Sequence, residues 1–195
     1  MSPSPTGRQP PARQLQWQLG DLALCLRLGD LFDSDADALV NSEQTDFILS
    51  ADRRTLSGQI RHRCGPAIQA ELNVLTAGAV LDPGCVLRTS GGERFRYVYH
   101  AGFHRPDQWL DEVDPAERDE HESGYVATVR DCLRRILGAM EEGEVDLLAL
   151  PLIGSGRFGL DPALLTYDLF RELADLALRL PSRRRPRVEV TVREP

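Results

Sequence analysis

Short apolar runs alternate along the chain with segments whose apolar residues recur every three or four positions, so strands and helices are predicted in turn. Leu22-Ala23-Leu24-Cys25-Leu26-Arg27-Leu28 is mainly apolar and closes on Gly29-Asp30, which predicts a strand ended by turn residues. Ala38-Leu39-Val40-Asn41 predicts a short buried strand. Leu56, Ile60 and Cys64 recur every four residues ahead of Gly65-Pro66, which predicts a helix from about Arg53 to Cys64 with Asp52 as its N-cap. A second helical piece over Pro66 to Leu75 leads to strands near Cys85 to Thr89 and Tyr97 to Ala101. Val126, Val129, Leu133, Ile136, Leu137 and Met140 share one face of a helix from about Ser123 to Met140. Leu147 to Leu152 suits a central parallel strand. Asp161-Pro162 then supplies an N-cap and a first-turn proline for a helix striped by Leu165, Leu169, Leu173, Leu176 and Leu180. Val188 to Val192 adds a last strand, expected at a sheet edge. This order predicts an α/β fold with a mixed, mostly parallel sheet and helices on both faces.

Composition narrows the chemistry. The 195 residues, 42% of them hydrophobic, suit one domain over residues 15–195. Residues 1–14 are rich in Pro, Ser and Arg and lack the apolar stretch of a secretion signal, so they read as a disordered leader of a cytoplasmic protein. No apolar run approaches the ~20 residues of a membrane span. All 23 basic residues are arginine. Schiff-base catalysis and the phosphate-binding loop that depends on lysine are thereby excluded. The net charge of −7 is localised: residues 107–122, read as an acidic surface loop, hold eight acids and one arginine, leaving 22 of each sign elsewhere. With a nearly neutral body, nucleic acid is not an expected partner. Arg183, Arg184, Arg185 and Arg187 form the one basic cluster, read as a solvated turn or, less favourably, as an RNA or polyanion contact. Cys25, Cys64, Cys85 and Cys132 form no Cys-x-x-Cys pair and read as reduced, mostly buried thiols. His62, His100, His104 and His121 have no zinc spacing, so no metal is expected.

The strongest motif is Ile153-Gly154-Ser155-Gly156-Arg157-Phe158-Gly159, between a buried strand and a capped helix. Glycines at the carboxyl end of a parallel strand let backbone N–H groups approach phosphate oxygens. Ser155 offers a hydroxyl donor and Phe158 a flat apolar wall. The loop also spells G-x-G-x-x-G, but a dinucleotide fingerprint needs an acidic residue about 20 positions on, at the end of the next strand. Asp175 instead falls inside the leucine-striped helix.

Four separated motifs decide the comparison: Gly29-Asp30-Leu31, then Asp37-Ala38-Leu39-Val40-Asn41, then His100-Ala101-Gly102, then the glycine loop. In order and spacing they resemble the macrodomain family, which binds ADP-ribose. The resemblance runs from about Leu22 to Leu180 and implies a three-layer α/β/α sandwich with a six- or seven-stranded mixed sheet and no cofactor. It also implies that Asp30 accepts from the adenine amino group and that Leu31 adds its backbone N–H. Ile153, Gly154, Ser155, Gly156, Arg157 and Phe158 would wrap the diphosphate, with Phe158 against the distal ribose. Asn41 would shape that ribose pocket. Without the family, Asp30 reads equally as a turn former.

Two departures bear on activity. The family's Asn-Ala-Ala-Asn stands here as Asn41-Ser42-Glu43-Gln44, so Gln44 carries the second amide one methylene further out. With Asn41, Gln44 is the candidate for positioning a catalytic water. The family's first glycine-rich loop aligns with Asp52-Arg53-Arg54-Thr55, and Ser57, at the position of the acid used by hydrolytic members, is the ligand-binding candidate there. Arg53 or Arg54 either bind phosphate bidentately or are surface residues, and Glu43 or Asp52 are the acids available as substitute bases. The sequence therefore favours a reader or sensor of ADP-ribose or an ADP-ribosylated target. The alternative is an ADP-ribosyl hydrolase.

Overall fold

The computed structural model describes residues 14–103, 118–156, 160–181 and 184–192, and the side chains of these except 118–122. Seven strands form one sheet in the order β1-β2-β7-β6-β3-β5-β4. They are β1 (Gln14–Leu19), β2 (Leu22–Leu28), β3 (Ala38–Gln44), β4 (Val86–Gly91), β5 (Phe95–Phe103), β6 (Leu147–Pro151) and β7 (Arg187–Val192). The five inner strands run parallel, and β1 and β4 pair antiparallel at the edges.

Among the described residues, four helices cover the sheet. Strand alternation sends Leu39, Val98 and Ala149 to one face, where they pack with Ile60 of α1 (Leu56–Arg63) and Ile68 and Leu72 of α2 (Ala67–Thr76). Ala38, Val40, Leu148 and Leu150 point to the other face. There they meet Val129, Leu133 and Ile136 of α3 (Arg118–Glu141) and Leu169, Leu173 and Leu176 of α4 (Pro162–Arg179). The expected three layers are thus present, and both long helices bury their expected stripes. Beside those stripes, Asp168 and Glu172 of α4 are also buried, and Arg130 and Arg134 of α3 reach across to them at 2.8 Å each.

Several expectations need correction. The last strand is not at an edge: β7 lies between β2 and β6. Glu189 within it is buried and accepts from Arg27 Nε of β2 at 2.9 Å. The paired guanidinium supplies what water would otherwise provide. The first helix begins at Leu56 with Thr55 as N-cap, not at Arg53 with Asp52. Thr55 Oγ1 accepts from the Gly58 N–H at 3.0 Å, while Asp52 is bound to Arg54 and receives the Thr55 N–H on its carbonyl. Gln14, assigned to the leader, opens β1, and residues 1–13 lie outside the described residues. Arg118 to Glu122, assigned to the acidic loop, are the first residues of α3. The rest of that loop lies outside the described residues. Cys25, Cys64, Cys85 and Cys132 are free thiols, and Cys85 is only partly buried.

Candidate functional site

The parallel strands all end on one side of the sheet, and the loops leaving those carboxyl ends form the crevice where α/β sheets bind ligands. Asp30 follows β2. Its Oδ1 caps a 3-10 turn by accepting from the Phe32 N–H at 3.0 Å, and its Oδ2 receives Arg63 Nη1 at 2.8 Å. Arg27, already fixed by Glu189, donates from Nη2 to the Asp30 carbonyl at 2.8 Å. Asp30 is therefore both the turn former and a carboxylate fixed at the mouth of the crevice. Leu31 and Phe32 are buried and pack on the α1/α2 side with Leu39 and Ala149.

The glycine loop leaves β6. Gly154 has φ +94°, and a Cβ there would meet Leu160 Cδ1 at 2.9 Å, so this position needs glycine. A Cβ on Gly156 would have nothing within 4 Å, and the residue is exposed. Leu160 N–H closes the loop onto the Gly154 carbonyl at 3.2 Å. Ser155 corrects an expectation: its hydroxyl donates to the Leu152 carbonyl at 2.7 Å and pins the turn, so its proton is committed. Ile153 is buried beneath the loop. Arg157 and Phe158 lie outside the described residues. Asp161 caps α4 by accepting from Ala163 N–H at 2.9 Å, which leaves anion binding to the loop's own amides.

At the end of β3, alternation separates the two residues proposed to position a water. Asn41 is fully buried toward α1, whereas Gln44, opposite Phe103 in register, belongs to the α3/α4 face. Asn41 Nδ2 lies 3.2 Å from His100 Nδ1 and 3.3 Å from Glu43 Oε2. Burial pulls the His100 pKa down to about 3, so the ring is neutral. The amide donates to Nδ1, which places the ring proton on Nε2 toward Thr89 Oγ1 at 2.9 Å. His100 is thus a satisfied core residue. Gly102 is equally structural, since a Cβ there would lie 2.8 Å from the Phe47 ring and 2.9 Å from Cys85 Sγ.

Ser57 and Glu43 prove to be partners. The buried Ser57 hydroxyl donates to Glu43 Oε2 and accepts the Ser50 N–H at 2.9 Å, while Glu43 Oε1 takes the Gln44 N–H at 3.0 Å. Burial raises the Glu43 carboxyl pKa against the lowering effect of these bonds. A carboxylate so enclosed ties β3 to the following loop. The Arg54 guanidinium beside Asp52 lowers its carboxyl pKa to about 2, which opposes a role as a base. Arg53 is exposed. The loop itself is closely packed: a Cβ on Gly58 would sit 2.0 Å from the Asp52 carbonyl oxygen. Gln69 and Arg61 bind the backbone of residues 47–49 from the helix side. Among the described residues no three His, Cys, Asp or Glu side chains converge on a metal-sized site. Arg184 reaches the Met140 and Val145 carbonyls and Asp146, so it caps α3 rather than offering a free basic patch; Arg183 lies outside the described residues.

Sequence reasoning missed Arg27 and Arg63. Their relation to Asp30 is set by strand neighbours and by the end of α1, which no local spacing reveals.

Comparisons with known proteins agree with this architecture. A mutant form of the Oceanobacillus iheyensis macrodomain superposes with a TM-score of 0.73 at 18% identity, covering 96% of this chain and 88% of that one. The same macrodomain with ADP gives 0.72 at 16% identity over 94% and 90%. A Trypanosoma brucei macrodomain in complex with ADP-ribose gives 0.64 at 19% identity over 86% and 63%. Among curated proteins, human protein mono-ADP-ribosyltransferase PARP14 is 29% identical over 141 residues, 72% of this chain but 7% of that protein. The family model for the Macro domain matches residues 45–165, more than half of the sequence, and on that match the chain belongs to the macrodomain family.

Proposed function

We propose that this macrodomain binds ADP-ribose, or a related NAD-derived nucleotide, free or attached to a protein, and acts as a reader or sensor. The observation that carries the reading is the pairing of a fixed acceptor with a glycine loop on one crevice. Asp30 stands at the end of β2, and Gly154 to Gly156 turn away from β6 with open space at Gly156. A carboxylate suits the exocyclic amine of adenine, and loop amides suit a diphosphate. ADP and ADP-ribose named in the structures of similar macrodomains support the same ligand class. Asn41, whose buried Oδ1 has no hydrogen-bond partner among the described residues, would shape the distal-ribose pocket, and Phe158 would cover that ribose.

Binding without turnover is favoured over hydrolysis. Ser57 supplies no carboxylate, Glu43 is enclosed by its own partners, and Gln44 lies on the opposite strand face from Asn41. Four free thiols support a cytoplasmic location. Among the described residues no helix is long and apolar enough to cross a membrane.

Titration calorimetry with ADP-ribose tests the proposal. Binding is expected for the unaltered chain and loss of binding for Asp30→Ala, whereas no heat with the unaltered chain would overturn it. Incubation with an ADP-ribosylated protein is expected to leave the modification in place. Release of free ADP-ribose would instead establish the hydrolase.

A further inference from the structure

Arg63 is the last residue of α1, and its Nη1 is bound to Asp30 Oδ2 at 2.8 Å. The guanidinium carbon lies 4.7 Å from the centroid of the Phe32 ring, so the group is held from below as well as from the side. Its side chain is still 42% exposed, and among the described residues Nε and Nη2 donate to no acceptor. Asp30 is equally constrained, by the Phe32 N–H, by Arg63 and, through its carbonyl, by Arg27. Neither side chain can swing to suit a ligand without breaking these contacts. The crevice thus presents a rigid carboxylate acceptor with a guanidinium donor beside it.

We propose that Arg63 is a specificity-determining residue for the base: with Asp30 it reads the edge of adenine on which an amino group adjoins a ring nitrogen. The inference rests on the nucleotide-binding reading above. The amino group of adenine is flanked by N1 and N7, both acceptors. Asp30 accepts from the amine, Arg63 donates to one flanking nitrogen, and the Leu31 N–H suits the other. A 6-oxopurine turns a carbonyl oxygen toward the Asp30 carboxylate and leaves partly desolvated polar groups unpaired, which opposes its binding.

Changes in ligand atoms, combined with changes in the side chain, separate this role from a merely structural one. Calorimetry compares ADP-ribose with analogues carrying 7-deazaadenine, 1-deazaadenine or hypoxanthine, each against the unaltered chain, Arg63→Ala and Arg63→Lys. A hydrogen bond from a charged donor corresponds to about tenfold in affinity. The unaltered chain is expected to bind the deaza analogue that lacks the nitrogen facing Arg63 about tenfold more weakly than ADP-ribose, the other deaza analogue more weakly by a smaller factor, and the hypoxanthine analogue more weakly than either. Arg63→Ala is expected to become indifferent to one of the two deaza substitutions while keeping its preference against the other. Arg63→Lys keeps the charge beside Asp30 but lacks the planar fork, and is expected to lose the same discrimination. Equal weakening of all analogues by either variant would show a structural role and overturn this inference alone. Failure of the unaltered chain to bind ADP-ribose would overturn the nucleotide reading and this inference with it.

Discussion

Gly154 and Gly156 are two residues apart and differ sharply in what a side chain would cost them. At Gly154, φ is +94° and an added Cβ meets Leu160 Cδ1 at 2.9 Å and Leu165 Cδ1 at 3.3 Å. The left-handed conformation costs an L-residue about 1–2 kcal/mol, and the leucine ends must also give way. For a chain of this size each kcal/mol lowers the melting temperature by about 2–4 °C, so Gly154→Ala is expected to melt about 2–8 °C lower. At Gly156 a Cβ has nothing within 4 Å, so Gly156→Glu is expected to melt within about 1 °C of the unaltered chain. Its carboxylate would instead stand where the diphosphate is proposed to lie. Two like charges about 4 Å apart repel by about 1 kcal/mol in water and about 4 kcal/mol at the effective dielectric near a protein surface. That range corresponds to a loss of about fivefold to a thousandfold in affinity. Thermal melts and ADP-ribose calorimetry on both variants read the two effects separately. Unchanged affinity in Gly156→Glu would refute the placement of the diphosphate on this loop. A melting loss in Gly156→Glu as large as that of Gly154→Ala would refute the distinction between the two glycines.

The remaining predictions concern stability. His100 titrates near 3 when folded and near 6.5 when unfolded, so the unfolded chain takes up a proton first as the pH falls. Stability is therefore lost below about pH 6.5, by about 2 kcal/mol on reaching pH 5. Urea unfolding at pH 7 and pH 5 is expected to show that loss in the unaltered chain and not in His100→Gln; Glu43, shifted the opposite way, acts in both proteins and cancels from the comparison. Gly58→Ala forces the Asp52 backbone from a position only 2.0 Å away and is expected to cost about 1–3 kcal/mol in chemical unfolding. Unchanged stability would mean the loop is not packed on α1. Arg130→Met leaves Asp168, 4% exposed, without its guanidinium and is expected to destabilise by about 3 kcal/mol. A melting temperature equal to that of the unaltered chain would show that the Arg130–Asp168 pair contributes nothing.

Much of this protein is determined by its sequence alone, because the relevant interactions are local. The leucine stripe of α4, the Asp161-Pro162 cap, the apolar run of β6 and the glycine turn after it all depend on residues within a few positions of one another. They place a glycine turn at the carboxyl end of a parallel strand without knowledge of anything distant. Tertiary structure decided the rest. The last strand is expected at an edge, but it lies between β2 and β6, with Glu189 paired to Arg27, 162 residues away. Ser57 and Glu43 look like a lost acid and a substitute base until their side chains bond across 14 residues. Asn41 and Gln44 look like a pair until the pleat turns them to opposite faces. The guanidinium beside Asp30 comes from the end of α1, 33 residues away. A side chain's environment is set by which elements lie beside it. Periodicity fixes the face that each element buries, but not its neighbours.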